Sequence, residues 1–199
     1  VTTPRLASVL EFLTLADQLK HVLRRGRTLD ADGIARWENS AEHCWHVALA
    51  AVLLRDELAF PVDLGRVLAM IAAHDLVEIE AGDTFAYDAA GAATQAEREQ
   101  RAADRIFGTL PPDLGAQMHA LWAEFEAGVT PESRFAMGCD RLQGFFQGVI
   151  SGGKAWIEAG VTTAQSARRM DPAAAVDPAF ATLIAALRER ALAEGLLRP

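Results

Sequence analysis

Apolar positions along this chain recur with helical spacing almost throughout. Leu6, Val9, Leu10, Leu13, Ala16, Leu19 and Leu23 return every three or four residues, which places them on one helical face. Thr3-Pro4 supplies an N-cap and a first-turn proline ahead of them, so a first helix is expected to run to about Arg24. Residues 26–39 carry no period, and Asp30-Ala31-Asp32-Gly33 is turn chemistry. Asn39 or Ser40 caps a second helix, about Ala41 to Leu58, with Val47, Ala50, Ala51 and Leu54 facing inward. Pro61 interrupts the chain and Asp63 caps a third helix. Val67, Leu68, Met70, Ile71 and Ala72 make that helix almost wholly buried as far as His74-Asp75. Gly82 to Asp88 reads as a loop of acids interleaved with aromatics. A charged helix follows from Thr94 towards Phe107, its side chains paired at i, i+3 and i, i+4. Pro111-Pro112-Asp113 precedes a helix to about Ala127, which Gly128 stops, and Thr130-Pro131-Glu132 opens another containing Phe135, Leu142, Phe145, Phe146 and Val149. Ser151-Gly152-Gly153 is a break, Thr162 or Thr163 starts a short helix, and Asp177-Pro178 begins the last, to about Ala193. The expectation is a single all-α domain over residues 1–199, a bundle of about eight helices without a strand.

Composition supports this reading and removes some functions. The chain has 199 residues, 51% of them apolar, with Ala and Leu dominant, which suits a full helical core. Its formal charge is −8 and it has no block of Lys or Arg, so duplex nucleic acid or an anionic membrane gripped by a basic face is not expected. Small phosphates such as mononucleotides need only a few local arginines and stay open. Cys44 and Cys139 form neither a CxxC pair nor a disulfide framework, which suits a reducing cytoplasm. The chain opens without a long apolar run of the signal-peptide kind, and no run of about 18 apolar residues reads as a membrane span.

The chemistry gathers around Met70–Asp83. There an apolar helix delivers His74-Asp75, followed by Glu78 and Asp83. Burying such groups costs several kcal/mol each unless something pairs with them. His43 lies in the first turn of the second helix, with His46 one turn on. His43 reads as a long-range partner of His74-Asp75, and His46 as packing beside it. Asp140 stands mid-helix among apolar neighbours, as a salt-bridged structural residue or as a further ligand. Two neutral imidazoles and two carboxylates, His43, His74, Asp75 and Asp140, would approximately neutralise one divalent ion: Mn, Co, Fe, Ni, Zn or Mg. Arg24, Arg25 and Arg27 around Gly26 are either a solvated last turn or anion-orienting groups at the mouth of a site. Cys44 and Cys139 adjoin ligand positions but point about 100° away on a helix and read as small packed residues.

The order H…HD…D on separate helices resembles the HD-domain metal-dependent phosphohydrolases, and more closely the branch holding bacterial 5′-deoxynucleotidases and similar small HD hydrolases. Four phrases carry the resemblance: Glu38-Asn39-Ser40-Ala41-Glu42-His43, His74-Asp75-Leu76-Val77-Glu78, Gly82-Asp83-Thr84-Phe85-Ala86-Tyr87, and Thr130-Pro131-Glu132-Ser133-Arg134-Phe135 with Asp140-Arg141-Leu142-Gln143. It covers roughly residues 5–170, with the helix at about 178–193 beyond it. The resemblance implies an HD-type fold and one divalent metal on His43, His74, Asp75 and Asp140. It implies Glu78 and Asp83 as the proton-transfer pair, in either order, with Asp75 and Asp83 also facing substrate. Arg24 matches the phosphate-orienting arginine. Arg25 stands where the deoxynucleotidases have Trp, and Thr84, Phe85 and Ala86 replace a Pro-containing substrate loop. The implied reaction is release of phosphate from nucleoside or deoxynucleoside 5′-monophosphates by metal-activated water. A phosphodiesterase or nucleotide triphosphohydrolase is the enzymatic alternative, and a catalytically silent helical signalling or scaffold domain the other. A homodimer is also implied. The faces around Trp122 and Phe125, or Phe145 and Phe146, are interface candidates for which core packing is the better reading.

Overall fold

The computed structural model describes residues 3–199. Thr3 caps α1 (Pro4–Ala16) by accepting from the Leu6 N–H, with Pro4 in the first turn. Of this helix only Phe12 is buried, while Leu6, Leu10 and Leu13 stay exposed. The helix also ends sooner than its apolar spacing implies. A 3₁₀ turn covers Asp17–His21, and the backbone is extended at Val22. Leu19 is the residue that turns inward. From there the chain forms an antiparallel hairpin, β1 (Leu23–Leu29) and β2 (Ala35–Asn39), where no strand was expected. Arg27 pairs with Trp37 and Leu29 with Ala35, and the register is irregular between Leu23 and Arg27. The expected turn closes the hairpin: the Asp30 carboxylate accepts from the backbone N–H of Asp32 and Ile34. Gly33 takes φ +75°, a conformation that suits glycine. Arg24 therefore sits on a strand and not at a helix end.

Asn39 and Glu42 make a reciprocal capping box for α2 (Ser40–Leu54), and a 3₁₀ turn at Arg55–Glu57 finishes the stretch expected as one helix. Asp63 caps α3 (Leu64–His74), whose Val67, Met70, Ile71, Ala73 and His74 are buried. A 3₁₀ turn (Asp75–Val77) and the single-turn α4 (Glu78–Ala81) lead to Gly82 at φ +74°. Asp88 caps α5 (Ala89–Phe107), five residues ahead of the expected start. α6 (Pro112–Ala127) ends on left-handed Gly128, and Thr130 caps α7 (Pro131–Ile150). The Ser151–Gly153 break leads into an unanticipated α8 (Lys154–Ala159). Thr162 and Gln165 form a capping box for α9 (Thr163–Ala174), and Asp177 caps α10 (Pro178–Ala193).

The all-α expectation holds, with the hairpin as a minor addition. α7 is the central helix, packed against α2, α3, α6, α9, α10 and β1. Its Phe135, Ala136, Cys139, Leu142, Phe145 and Val149 share one core with Val47, Met70 and Ile71. A second cluster joins Phe12, Leu19, Leu76, Val77, Ile106, Phe107 and Trp122. Trp122, Phe125 and Phe145 thus lie in the core, as their better reading had it. No helix among the described residues is long and apolar enough to cross a membrane.

Candidate metal centre and cleft

Three elements deliver the central groups. His43 lies in the first turn of α2, His74 ends α3, and Asp75 begins the 3₁₀ turn that follows. One potential ligand atom from each lies within 4.8 Å of the others. Asp140, on α7, places Oδ1 2.9 Å from His43 Nε2. The four residues named from the sequence are therefore neighbours, with Asp140 joined through His43.

Hydrogen bonding decides what these rings offer. His74 Nδ1 lies 2.8 Å from the Ile71 carbonyl oxygen, so its N–H is used there and Nε2 keeps its lone pair. That Nε2 is buried without a hydrogen-bond partner. Asp75 Oδ1, 3.1 Å away, is a second acceptor facing it. His43 repeats the arrangement: its Nδ1 donates to Gln143 Oε1 at 2.5 Å, and its Nε2 faces Asp140 and Asp75, the latter at 3.8 Å. Burial, and then Arg24, hold His43 down to about 4, so the ring is neutral at pH 7. Lone pairs converging on carboxylates in a buried site call for a cation between them. Mixed N/O donors of this kind fit a divalent metal, and His43, His74 and Asp75, with Asp140 beside them, would hold it.

The surrounding charges say the same. Arg24 enters from β1 with Nη1 3.1 Å from Asp75, 3.6 Å from Asp83 and 3.8 Å from Glu78, and with Nε 3.9 Å from Glu38. Burial works against its charge, but Asp75, Glu78 and Asp83 outweigh burial and raise its pKa. Glu38, Asp75, Glu78, Asp83 and Asp140 thus surround one guanidinium. Burial pushes Asp75 up to about 7 against the pull of Arg24. Glu78 rises too, through burial and then the Asp75 charge, while Ser40 Oγ donates to its Oε2 at 2.6 Å.

The remaining named residues line the entrance. Asp83 accepts from the Arg25 backbone N–H at 3.2 Å. The Arg25 guanidinium itself lies 6.0 Å from the Phe85 ring centroid. Thr84 is pinned by Arg98, which donates to its Oγ1 at 2.7 Å and also to the Ala81 carbonyl. Thr84, Phe85 and Ala86 form one side of a cleft open to solvent, with Tyr87, Trp156, Arg141 and Arg169 among its other walls.

Glu38, Ser40, Gln143 and Arg169 were not assigned from the sequence. Gln143 is the most informative. Its Oε1 accepts from His43, and its Nε2 donates to Glu38 Oε1 at 2.8 Å. It stands at i+3 from Asp140, one helical turn along the same face, and that spacing was the available signal. His46 is peripheral, with Nδ1 3.4 Å from the Gln143 amide and its ring against Phe146.

Comparison with known proteins agrees with this geometry. A family model described as HD domain matches residues 16–177. The human and mouse proteins named 5′-deoxynucleotidase HDDC2 are 29% and 28% identical over 140 and 141 residues, 70% and 71% of this chain. Those matches span 66% and 68% of the relatives' own lengths. A crystal structure described as a predicted metal-dependent phosphohydrolase from Magnetospirillum magnetotacticum MS-1 is 42% identical, with a TM-score of 0.89 over 98% of this chain and 96% of that one. The PH0347 protein of Pyrococcus horikoshii OT3, 17% identical with a TM-score of 0.64 over 91% of this chain and 99% of that one, shares the fold. With the HD pair at the end of α3, its partner histidine on α2 and the aspartate on α7, the chain belongs to the HD domain family.

Proposed function

We propose that this chain is a metal-dependent phosphohydrolase that releases phosphate from nucleoside 5′-monophosphates, 2′-deoxynucleotides among them. The observation that carries the reading is the convergence of two imidazole lone pairs and buried carboxylates beside a cleft walled by arginines and aromatics. The names of the human and mouse relatives support the nucleotide, and Phe85 and Tyr87 offer ring surface for a base.

His43, His74, Asp75 and Asp140 would hold the divalent ion, which supplies Lewis acidity towards a phosphoryl oxygen and acidifies water. Arg24 binds non-bridging oxygens with a guanidinium kept charged by its acid neighbours. Glu78 takes the proton of the attacking water. Its raised proton affinity suits that task, and Ser40 fixes its second oxygen. As the water oxygen bonds to phosphorus and the ester P–O bond breaks, the leaving oxygen is protonated through Asp83, oriented by the Arg25 N–H, and the proton that Glu78 has taken replaces the one Asp83 gives. The test is phosphate release from a panel of nucleotides after chelation and addition of single metals. Absence of release with every metal overturns the reading.

The dimer belongs to the same proposal, on a different surface from those first named. Trp45, Leu49, Val52 and Leu53 form an exposed apolar stripe along α2, a feature that marks association surfaces. Trp45→Glu should convert a dimer to a monomer in light scattering, and a parent protein that is monomeric refutes the assignment.

A further inference from the structure

Five arginines line the cleft, Arg24, Arg25, Arg27, Arg141 and Arg169, against three carboxylates, Glu38, Asp83 and Asp140. With Asp75 and Glu78, which Arg24 also touches, the balance is five to five, against 19 basic and 27 acidic residues in the whole chain. Two of the five are occupied, and a third, Arg25, is solvent-exposed. Arg24 is held among the acids. Arg27 pairs with Glu158 at 2.8 Å and stacks on Trp37 with its guanidinium carbon 3.1 Å from the ring centroid. Arg25 lies by Phe85.

Arg141 and Arg169 differ. Arg141 follows Asp140 on α7, and Arg169 lies on α9, which packs against α7. Among the described residues no side chain makes a hydrogen bond or ion pair with the half-buried Arg141. Arg169 reaches only Asp140 Oδ2, at 3.9 Å, beyond hydrogen-bond range. The other Asp140 oxygen faces His43 Nε2 at 2.9 Å. Two guanidiniums with most of their N–H donors free thus share one wall, at the cost of mutual repulsion. An anion placed between them removes that repulsion and uses the donors. Arg24 meets the acid cluster at Asp75, whereas Arg169 meets it at Asp140, so the two arginines engage different carboxylates of the site.

We propose that Arg141 and Arg169 form a second anion subsite, and that the preferred substrate carries a second phosphate besides the one released. This rests on the phosphohydrolase reading and names its substrate class.

The test compares a nucleoside 5′-monophosphate with its 3′,5′-bisphosphate and its 5′-diphosphate on the metal-loaded full chain. Phosphate release gives kcat/KM, and calorimetry gives affinity without requiring turnover. At least one doubly phosphorylated compound should exceed the monophosphate by on the order of tenfold, the effect of one good charge-assisted contact. Which one does so distinguishes a sugar phosphate from a phosphate chain. Arg141→Ala and Arg169→Ala should each remove most of that advantage while weakening the monophosphate far less. Arg169→Lys should restore part of it as a point charge. Equal values for all three compounds in the parent, or an advantage that survives both alanine variants, overturns the proposal. If no compound releases phosphate but the affinity difference is present and depends on Arg141 and Arg169, the subsite stands and the phosphohydrolase reading fails.

Discussion

Replacing Gln143 by Leu tests whether the metal centre depends on an amide that touches none of the metal. Gln143 is 2% exposed, with Oε1 on His43 Nδ1–H and Nε2 on Glu38. Leucine nearly fills the volume and supplies neither partner. Two buried groups, His43 Nδ1–H and Glu38, lose a hydrogen-bond partner at roughly 1–3 kcal/mol apiece. Arg24, with Nε 3.9 Å from Glu38, offsets part of this. A stability loss of about 2–4 kcal/mol is therefore expected. The metal effect is separate. Once Nδ1 is released, the His43 proton can move to Nε2 and donate to Asp140 Oδ1 at 2.9 Å, which removes the lone pair a metal needs. Loss of such orienting partners weakens metal affinity about 10–100-fold. Calorimetric metal titration read beside thermal unfolding separates the two. Gln147→Leu is the control: Gln147 is also buried on α7 but donates to the Arg27 carbonyl at 3.1 Å, so it should cost stability and spare metal affinity. A folded Gln143→Leu protein that binds metal within about twofold of the parent refutes the reasoning.

Three further outcomes follow. Ser40→Ala removes the 2.6 Å bond that favours ionised Glu78, so the acid limb of the pH–rate profile should move to higher pH; an unmoved limb assigns that limb to another group. Without metal, Asp75 is pushed up to about 7, so in that form it holds a proton below that pH and must release it to bind a cation. Metal affinity should then fall roughly tenfold per unit as pH drops below 7, and rise to a plateau above it, in titrations that also count released protons. Gly148→Ala would place a Cβ 2.1 Å from Trp156 Cζ2; thermal unfolding should show a loss of about 1–3 kcal/mol from overpacking.

What the sequence disclosed, and what it hid, divides along the range of the forces involved. Caps are local, and they were readable: Thr3-Pro4, Asn39 with Glu42, Asp63, Thr130-Pro131 and Asp177-Pro178 all sit where their helices begin. The HD pair was readable because an apolar helix ending in charge is locally inconsistent, and such inconsistency marks a site. The hairpin was hidden because nothing local specifies it. Leu23-Arg24-Arg25-Gly26-Arg27 has no alternation of apolar and polar residue types, and the spacing of Leu19 and Leu23 continues a helical period that the backbone abandons after Ala16. What holds β1 in place is distant in sequence. Arg24 bonds to Asp75 across 51 residues, the Arg25 N–H to Asp83 across 58, and the Arg27 carbonyl accepts from Gln147 across 120. The hairpin is therefore carried on the site's own charges as much as on its ladder. That couples the chemistry to the fold: Arg24→Ala would leave the acid cluster without its cation and β1 without its main side-chain tether. The same logic explains Glu38 and Gln143. Each is an ordinary polar residue in its own helix or strand, and each acquires a role only because α7 carries Gln143 to His43, 100 residues away in sequence. Pattern reading finds residues that conflict with their neighbours, and orienting residues escape it because they conflict with nothing until the chain has folded.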